Sequence, residues 1–289
     1  MVKFSTRPNL LVIGAMKSGT TSLHSYLNVH PEIYMSEKKE IDFFSKKYNN
    51  TNLDYYLEFF NAEYKIRGES SQNYSKYHLF KDVPQRIFET LGSDIKFIYV
   101  LRDPIKRIIS HYYEAQSQNR IEVSLDKYLE GNLENNNIIL TSLYYKQLSK
   151  FLEFYPIEKF KIITFERLKE NRVETMNEIY NFLKLKSIKD YKVYDYILNP
   201  SDNKRSKNIL YKLFYNSFIF KKIKSILSVE FKKYLTDSKF FKYFFTKKII
   251  YDYNISSHKK KIIYKLIQND VNKLKKLTSK DFNEWNLKF

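Results

Sequence analysis

Short apolar runs alternate with longer stretches of helical periodicity over the first two thirds of the chain. Leu10-Leu11-Val12-Ile13 predicts a buried strand over 10–14, and residues 20–29 then take up a helical pattern. Asp54 to Phe60 reads as helix. A strand near 65–69 precedes a helix near 81–91, and a strand over 96–101 feeds a helix over 105–118. Leu143 to Tyr155 reads as helix, Phe160 to Thr164 as strand and Val173 to Leu183 as helix. Strands this short and apolar, alternating with helices, imply an α/β fold: a central parallel sheet flanked by helices on both faces. Loops at the C-terminal strand ends are then the natural ligand sites. Near the end, Ile263, Leu266, Ile267, Val271, Leu274 and Leu277 repeat at helical spacing as a packing stripe, and Trp285 is placed to pin the tail.

The first strand leads into Gly14-Ala15-Met16-Lys17-Ser18-Gly19-Thr20-Thr21-Ser22, a glycine-bracketed loop opening a helix. Such a loop lets backbone N–H groups approach an oxyanion, and the helix N-terminus adds its positive end. The fold is therefore expected to be P-loop-like, in three layers. The spacing nearly matches G-x-x-x-x-G-K-[ST], but Thr20 stands where the nucleotide loop has lysine, and the lysine sits inside the loop as Lys17. The arrangement that holds a magnesium-bound triphosphate is not reproduced. Lys17 is the natural cation for charge building on a leaving group. Ser18, Gly19, Thr20, Thr21 and Ser22 offer N–H and O–H donors, of which a helix cap alone would use one.

Gly-Ala-Met-Lys-Ser-Gly-Thr-Thr-Ser-Leu resembles the 5′-phosphosulfate loop of sulfotransferases that use 3′-phosphoadenosine 5′-phosphosulfate (PAPS). Further blocks follow in the family's order: His30-Pro31-Glu32-Ile33, Lys39-Glu40-Ile41-Asp42-Phe43-Phe44, Gly68-Glu69-Ser70-Ser71-Gln72-Asn73-Tyr74, and Phe97 to Pro104 continuing to Arg107, Ser110 and Tyr112. The resemblance is to the heparan-sulfate-type and bacterial members, over residues 9–185. It implies sulfuryl transfer to a hydroxyl or amine, with a carbohydrate (glycan or glycolipid) as acceptor, PAP as product and no metal.

By the same resemblance, Glu40 is the general base, because the glutamate before x-x-Phe-Phe has that role in the family. On composition alone it reads as a loop glutamate beside two lysines. Its apolar flank would desolvate a carboxylate and raise its pKa. Lys39 either steers an anionic acceptor or is simply solvated. Glu69, at a strand end, would position the acceptor or hold Lys17. Heparan-type relatives have a catalytic lysine after this glutamate; here Ser70 takes its place, which leaves Lys17 as the main catalytic cation. Arg102 ends a strand and Ser110 lies on the helix begun by Pro104, so the two can grip one phosphate. The resemblance makes that the 3′-phosphate. Arg107 and His111 either join them or cap and pack. Arg205 and Lys207 resemble a late cofactor-contact segment. His78 is the runner-up base, by analogy with the small-molecule sulfotransferases.

The chain's 289 residues suit one α/β core over 1–200 with an addition over 201–289. That addition carries 22 Lys/Arg against 7 Asp/Glu, so most of the +19 net charge resides there, among frequent aromatic residues. It is expected to be mostly helical and packed on or covering the core. Three readings compete: a cover that attracts an anionic acceptor, a surface for anionic membrane, and ordinary packing in a compositionally biased chain. Cysteine is absent, which excludes disulfides and thiol chemistry. No histidine spacing suggests a metal site. The first apolar run is strand one rather than a signal peptide, and no stretch is long enough to span a membrane. The expectation is a cytoplasmic bacterial enzyme, peripheral at the inner membrane face if the basic region docks there, with no nucleic-acid partner. Two alternatives stay open: a P-loop kinase or NTPase, and a non-enzymatic basic module binding nucleic acid or anionic membrane through residues 201–289.

Overall fold

The computed structural model describes residues 7–48, 53–60, 63–118, 120–131, 133–195, 205–207, 243–244, 246–248, 252, 255–285 and 287. Five strands form one parallel sheet: β1 (Leu10–Gly14), β2 (Ile33–Met35), β3 (Ile66–Ser70), β4 (Lys96–Leu101) and β5 (Phe160–Thr164), in the order β2-β3-β1-β4-β5. Every residue of β1 and β3 is buried, as strands covered on both faces require. Four of these strands lie where the apolar runs put them. The fifth, β2, is only three residues long, too short for a periodic signal.

Alternate residues of each strand serve opposite layers. Leu10, Val12, Ile98 and Val100 pack with Leu23 and Leu27 of α1 (Thr20–Asn28), Leu168 of α2 (Phe165–Glu170), and Met176, Ile179 and Leu183 of α3 (Arg172–Leu183). On the other face, Phe97 meets Phe151 of α4 (Tyr144–Phe151), and Tyr155 just beyond it, with ring centroids 5.6 and 4.7 Å away. Tyr155 in turn touches Phe88 of α5 (Val83–Leu91). The long helix α6 (Ser257–Thr278) packs outside α4. Its stripe residues Ile263, Ile267, Val271 and Leu274 are buried, and Leu266 and Leu277 half-buried. Trp285 is buried and stacks on Phe282, with centroids 4.3 Å apart.

The chain divides into two compact units. The first comprises residues 1–108, 132–199 and 255–289; the second comprises 109–131 and 200–254. The addition expected from residue 201 onward is thus shared: α6 belongs with the sheet. The second unit contains a two-stranded antiparallel pair, β6 (Arg205–Lys207) with β7 (Thr246–Lys248), where helix was expected. Most of the basic aromatic stretch, residues 208–242, lies outside the described residues. Tyr243 and Phe244 are exposed. Among the described residues no helix is long and apolar enough to cross a membrane.

Candidate active site

The loop from Gly14 to Gly19 joins the C-terminal end of β1 to α1. Gly19 has φ +83°, and a Cβ there would sit 2.7 Å from the Phe165 ring, so conformation and space both require glycine. Lys17 adopts φ 70°, a left-handed conformation unusual for a side-chain-bearing residue. Arginines hold the loop by its carbonyls. Arg102 Nη1 donates to Lys17 O at 3.1 Å and Arg107 Nη1 to Met16 O at 3.3 Å. From the other side, Ala15 N donates to Val100 O at 2.7 Å. With its carbonyls engaged in this way, the loop presents N–H and O–H donors. No side chain caps the N-terminus of α1. The Ser18 hydroxyl is fully buried and has no hydrogen-bond partner among the described residues. An unmet donor beside an uncapped helix start is the feature an oxyanion would satisfy. Thr20 is buried, Ser22 half-buried and Thr21 exposed.

Glu40 lies on the segment that follows β2, with φ 57°. Its backbone N donates to Ser70 O at 2.9 Å, which ties it to the end of β3. Its carboxylate is met by Lys39 Nζ at 2.6 Å and by the backbone N of Gln72 at 2.9 Å. With 26% of its side chain exposed, Glu40 is not the desolvated carboxylate that its apolar flank suggested; Ile41, Phe43 and Phe44 turn inward and leave it at the surface. Of the neighbouring charges, Lys39 pairs with Glu40, whereas Asp42 pairs with Lys46.

The desolvated carboxylate is Glu69. It is fully buried and accepts hydroxyl bonds from Tyr56 (2.8 Å), Tyr74 (2.7 Å) and Ser71 (2.8 Å). Burial pushes it up to about 7, against the pull of those three donors. The partners drawn for Glu69 from sequence, the acceptor and Lys17, are replaced here by three hydroxyls. Ser70 Oγ lies 2.9 Å from His24 Nδ1, and burial together with Lys39 pushes His24 down to about 4, so it is neutral near pH 7. Sequence reading passed over His24 because its position on α1 carries no motif.

Two residues after Glu40, Asp42 is buried and receives Asn73 Nδ2, from just past β3, at 2.9 Å and Lys46 Nζ at 2.7 Å. Lys76, on the same turn as Asn73, is buried as well; it was also missed. His78, the runner-up base, is engaged at both ring nitrogens by amide side chains, Asn137 at 2.7 Å and Gln147 at 3.4 Å. Burial lowers its pKa. The geometry makes His78 part of a structural network.

Arg102 follows β4, and its guanidinium lies over the Phe165 ring, 4.8 Å from the centroid. Asp103 is buried and accepts from Ile105 N and Lys106 N at the start of α7 (Pro104–Ser117). Arg107 is fully buried and also donates to Ser142 Oγ and Ile138 O. It anchors the loop from behind. Ser110 and His111 are buried on α7 and are counted in the second unit, Arg102 in the first. Arg205 and Lys207 fall on β6, and their side chains lie outside the described residues.

The family model described as sulfotransferase domain matches residues 7–250. The chain belongs to the sulfotransferase domain family. The mouse heparan sulfate glucosamine 3-O-sulfotransferase 5 is 28% identical over 200 residues, covering 65% of this chain and 56% of the mouse protein. The chain thus spans little more than half the length of that relative. As a fold, this sulfotransferase domain matches the crystal structure of a sulfotransferase from Alicyclobacillus acidocaldarius, with TM-score 0.65 and 21% identity over 96% of this chain and 98% of that one. It also matches mouse sulfotransferase SULT7A1 complexed with PAP, with TM-score 0.52 and 14% identity over 94% and 88%.

Proposed function

We propose that the protein transfers a sulfuryl group from 3′-phosphoadenosine 5′-phosphosulfate to a hydroxyl or amine of a carbohydrate. The observation that carries this reading is the buried, unpartnered Ser18 hydroxyl in a glycine-bracketed loop that opens on the uncapped start of α1. A donor cradle of this kind fits one anionic group and lacks the Lys-Thr pair that grips a magnesium triphosphate. The solved relative with PAP bound supports the nucleotide, and the heparan sulfate relative supports a glycan acceptor.

The donor supplies the sulfuryl group and a leaving phosphate; the chain supplies position and charge. Ser18, Thr20, Thr21, Ser22 and the Gly19 backbone hold the 5′ end, and Lys17 neutralises charge on the leaving oxygen. Arg102, beside the loop, takes the 3′-phosphate. Glu40 removes the acceptor proton. Its pairing with Lys39 and Gln72 N fixes the carboxylate, and its partial exposure leaves room for a sugar hydroxyl. Lys39 is then both the orienter of Glu40 and a cation for an acidic acceptor, whereas Glu69 supports the site from beneath.

A thermal-shift titration tests this. PAP without metal is expected to stabilise the protein by about 2.7 kcal/mol at 100 times its Kd, and magnesium-ATP to do nothing. Glu40→Ala is expected to keep the PAP shift and to lose transfer by ~10²–10⁴-fold. Stabilisation by magnesium-ATP alone would overturn the assignment.

A further inference from the structure

Ser70 leaves this chain without the lysine that would follow Glu69, yet a lysine side chain reaches the loop from elsewhere. Lys76 Nζ donates to Asn73 Oδ1 at 2.8 Å and lies 3.3 Å from the Met16 sulfur, inside the 14–19 loop. The residue is 6% exposed. Among the described residues no carboxylate comes within ion-pair distance of it, although the carboxylates of Glu40 and Asp42 lie in its field. An ammonium has three donors; one neutral amide oxygen and one thioether satisfy it poorly. A buried cation left in that state is unfavourable unless an anion arrives.

We propose that Lys76 is a second cation of the sulfuryl-transfer site, holding the 5′ phosphate end of the donor from the Met16 side and standing in for the lysine that Ser70 displaces. This rests on the reading of the site under the previous heading. Lys76 forms no covalent bond and moves no proton; it supplies positive charge beside Met16. Its own surroundings show it waiting for an anion. Burial, then the neighbouring Arg107, push its pKa down to about 8, with Lys46 acting the same way and Glu40 and Asp42 opposing.

The test compares two probes by calorimetry: PAP, and adenosine 3′-monophosphate, which lacks the 5′-phosphate. With Lys76→Met, the Kd for PAP is expected to rise about tenfold or more, while that for the 3′-monophosphate stays within about twofold; Lys76→Arg is expected to recover most of the PAP affinity. A folded Lys76→Met with unchanged PAP affinity overturns the proposal, and so does equal loss for both probes, which marks a structural role. If the variant fails to fold, the wild-type protein decides. Its preference for PAP over the 3′-monophosphate should fall as pH rises from about 7.5 to 9.5, because Lys76 loses its proton there. A flat preference overturns the proposal. Failure of the wild-type protein to bind either probe instead removes the sulfotransferase reading itself.

Discussion

Two glutamates near the ends of neighbouring segments have opposite environments. Glu40 keeps a solvent-facing carboxylate with an ammonium partner, while Glu69 is sealed among Tyr56, Tyr74 and Ser71. The Glu69 pKa is raised from 4.5 to about 7, so between those values the folded state binds the proton and the unfolded state does not. Stability from this group is therefore present below about pH 4.5 and falls as pH rises to 7. Glu69→Gln removes that slope. It keeps an oxygen for both tyrosines and places an amide donor at Ser71 Oγ. The difference in Tm, variant minus wild type, is expected to climb across pH 4.5–7 and then level off, as read by thermal denaturation at a series of pH values. A difference that falls over this window would mean that the three hydroxyl bonds outweigh burial. Gly14, Gly19 and Lys17 could be picked out in the sequence because local spacing carries their signal, whereas Glu40 was singled out only through the resemblance to the family. Lys76, His24 and the burial of Glu69 could not, because each depends on what other segments bring against it.

Secondary structure was legible where a run of residues repeats one physical demand. Parallel strands covered on both faces read as unbroken apolar stretches, and β1 and most of β4 stand out for that reason. β2 and the single-turn helix Phe43–Lys46 are too short for a periodicity and are fixed by tertiary contacts. The stripe on α6 announced a packing helix, but not its polar member. Asp270 is buried within that stripe, and its carboxylate accepts from Tyr145 N at 2.9 Å and Lys146 N at 2.8 Å, so α6 caps the start of α4. Asp270→Ala leaves those two N–H groups unpaired against α6 and is expected to cost about 1–2 kcal/mol. Asp270→Asn, which retains one acceptor, should cost less. Urea denaturation would show this as a lower midpoint with an unchanged slope. Equal stability of wild type and Asp270→Ala would mean that the contact between the two helices is carried by Ile263, Ile267 and Leu274 alone.

At the scale of the whole chain, the dominant quantity is charge. Of the net +19, +15 is contributed by residues 201–289, which bear 22 Lys/Arg against 7 Asp/Glu. If the acceptor of the proposed reaction is anionic, an excess of this size would raise its local concentration and speed its capture, and salt would screen the effect over a Debye length of about 8–10 Å. The catalytic groups themselves are short-range contacts and respond weakly to salt. Two acceptors therefore separate the contributions. For a polyanionic glycan, kcat/KM is expected to fall about fivefold or more between ~20 and ~200 mM salt, chiefly through KM; for a neutral saccharide of the same length it should change less than about twofold. Reversing the charge of several lysines between 201 and 254 should flatten the first curve and leave the second unchanged. A strong salt dependence with both acceptors would place the screening at the donor nucleotide, which is anionic in either reaction.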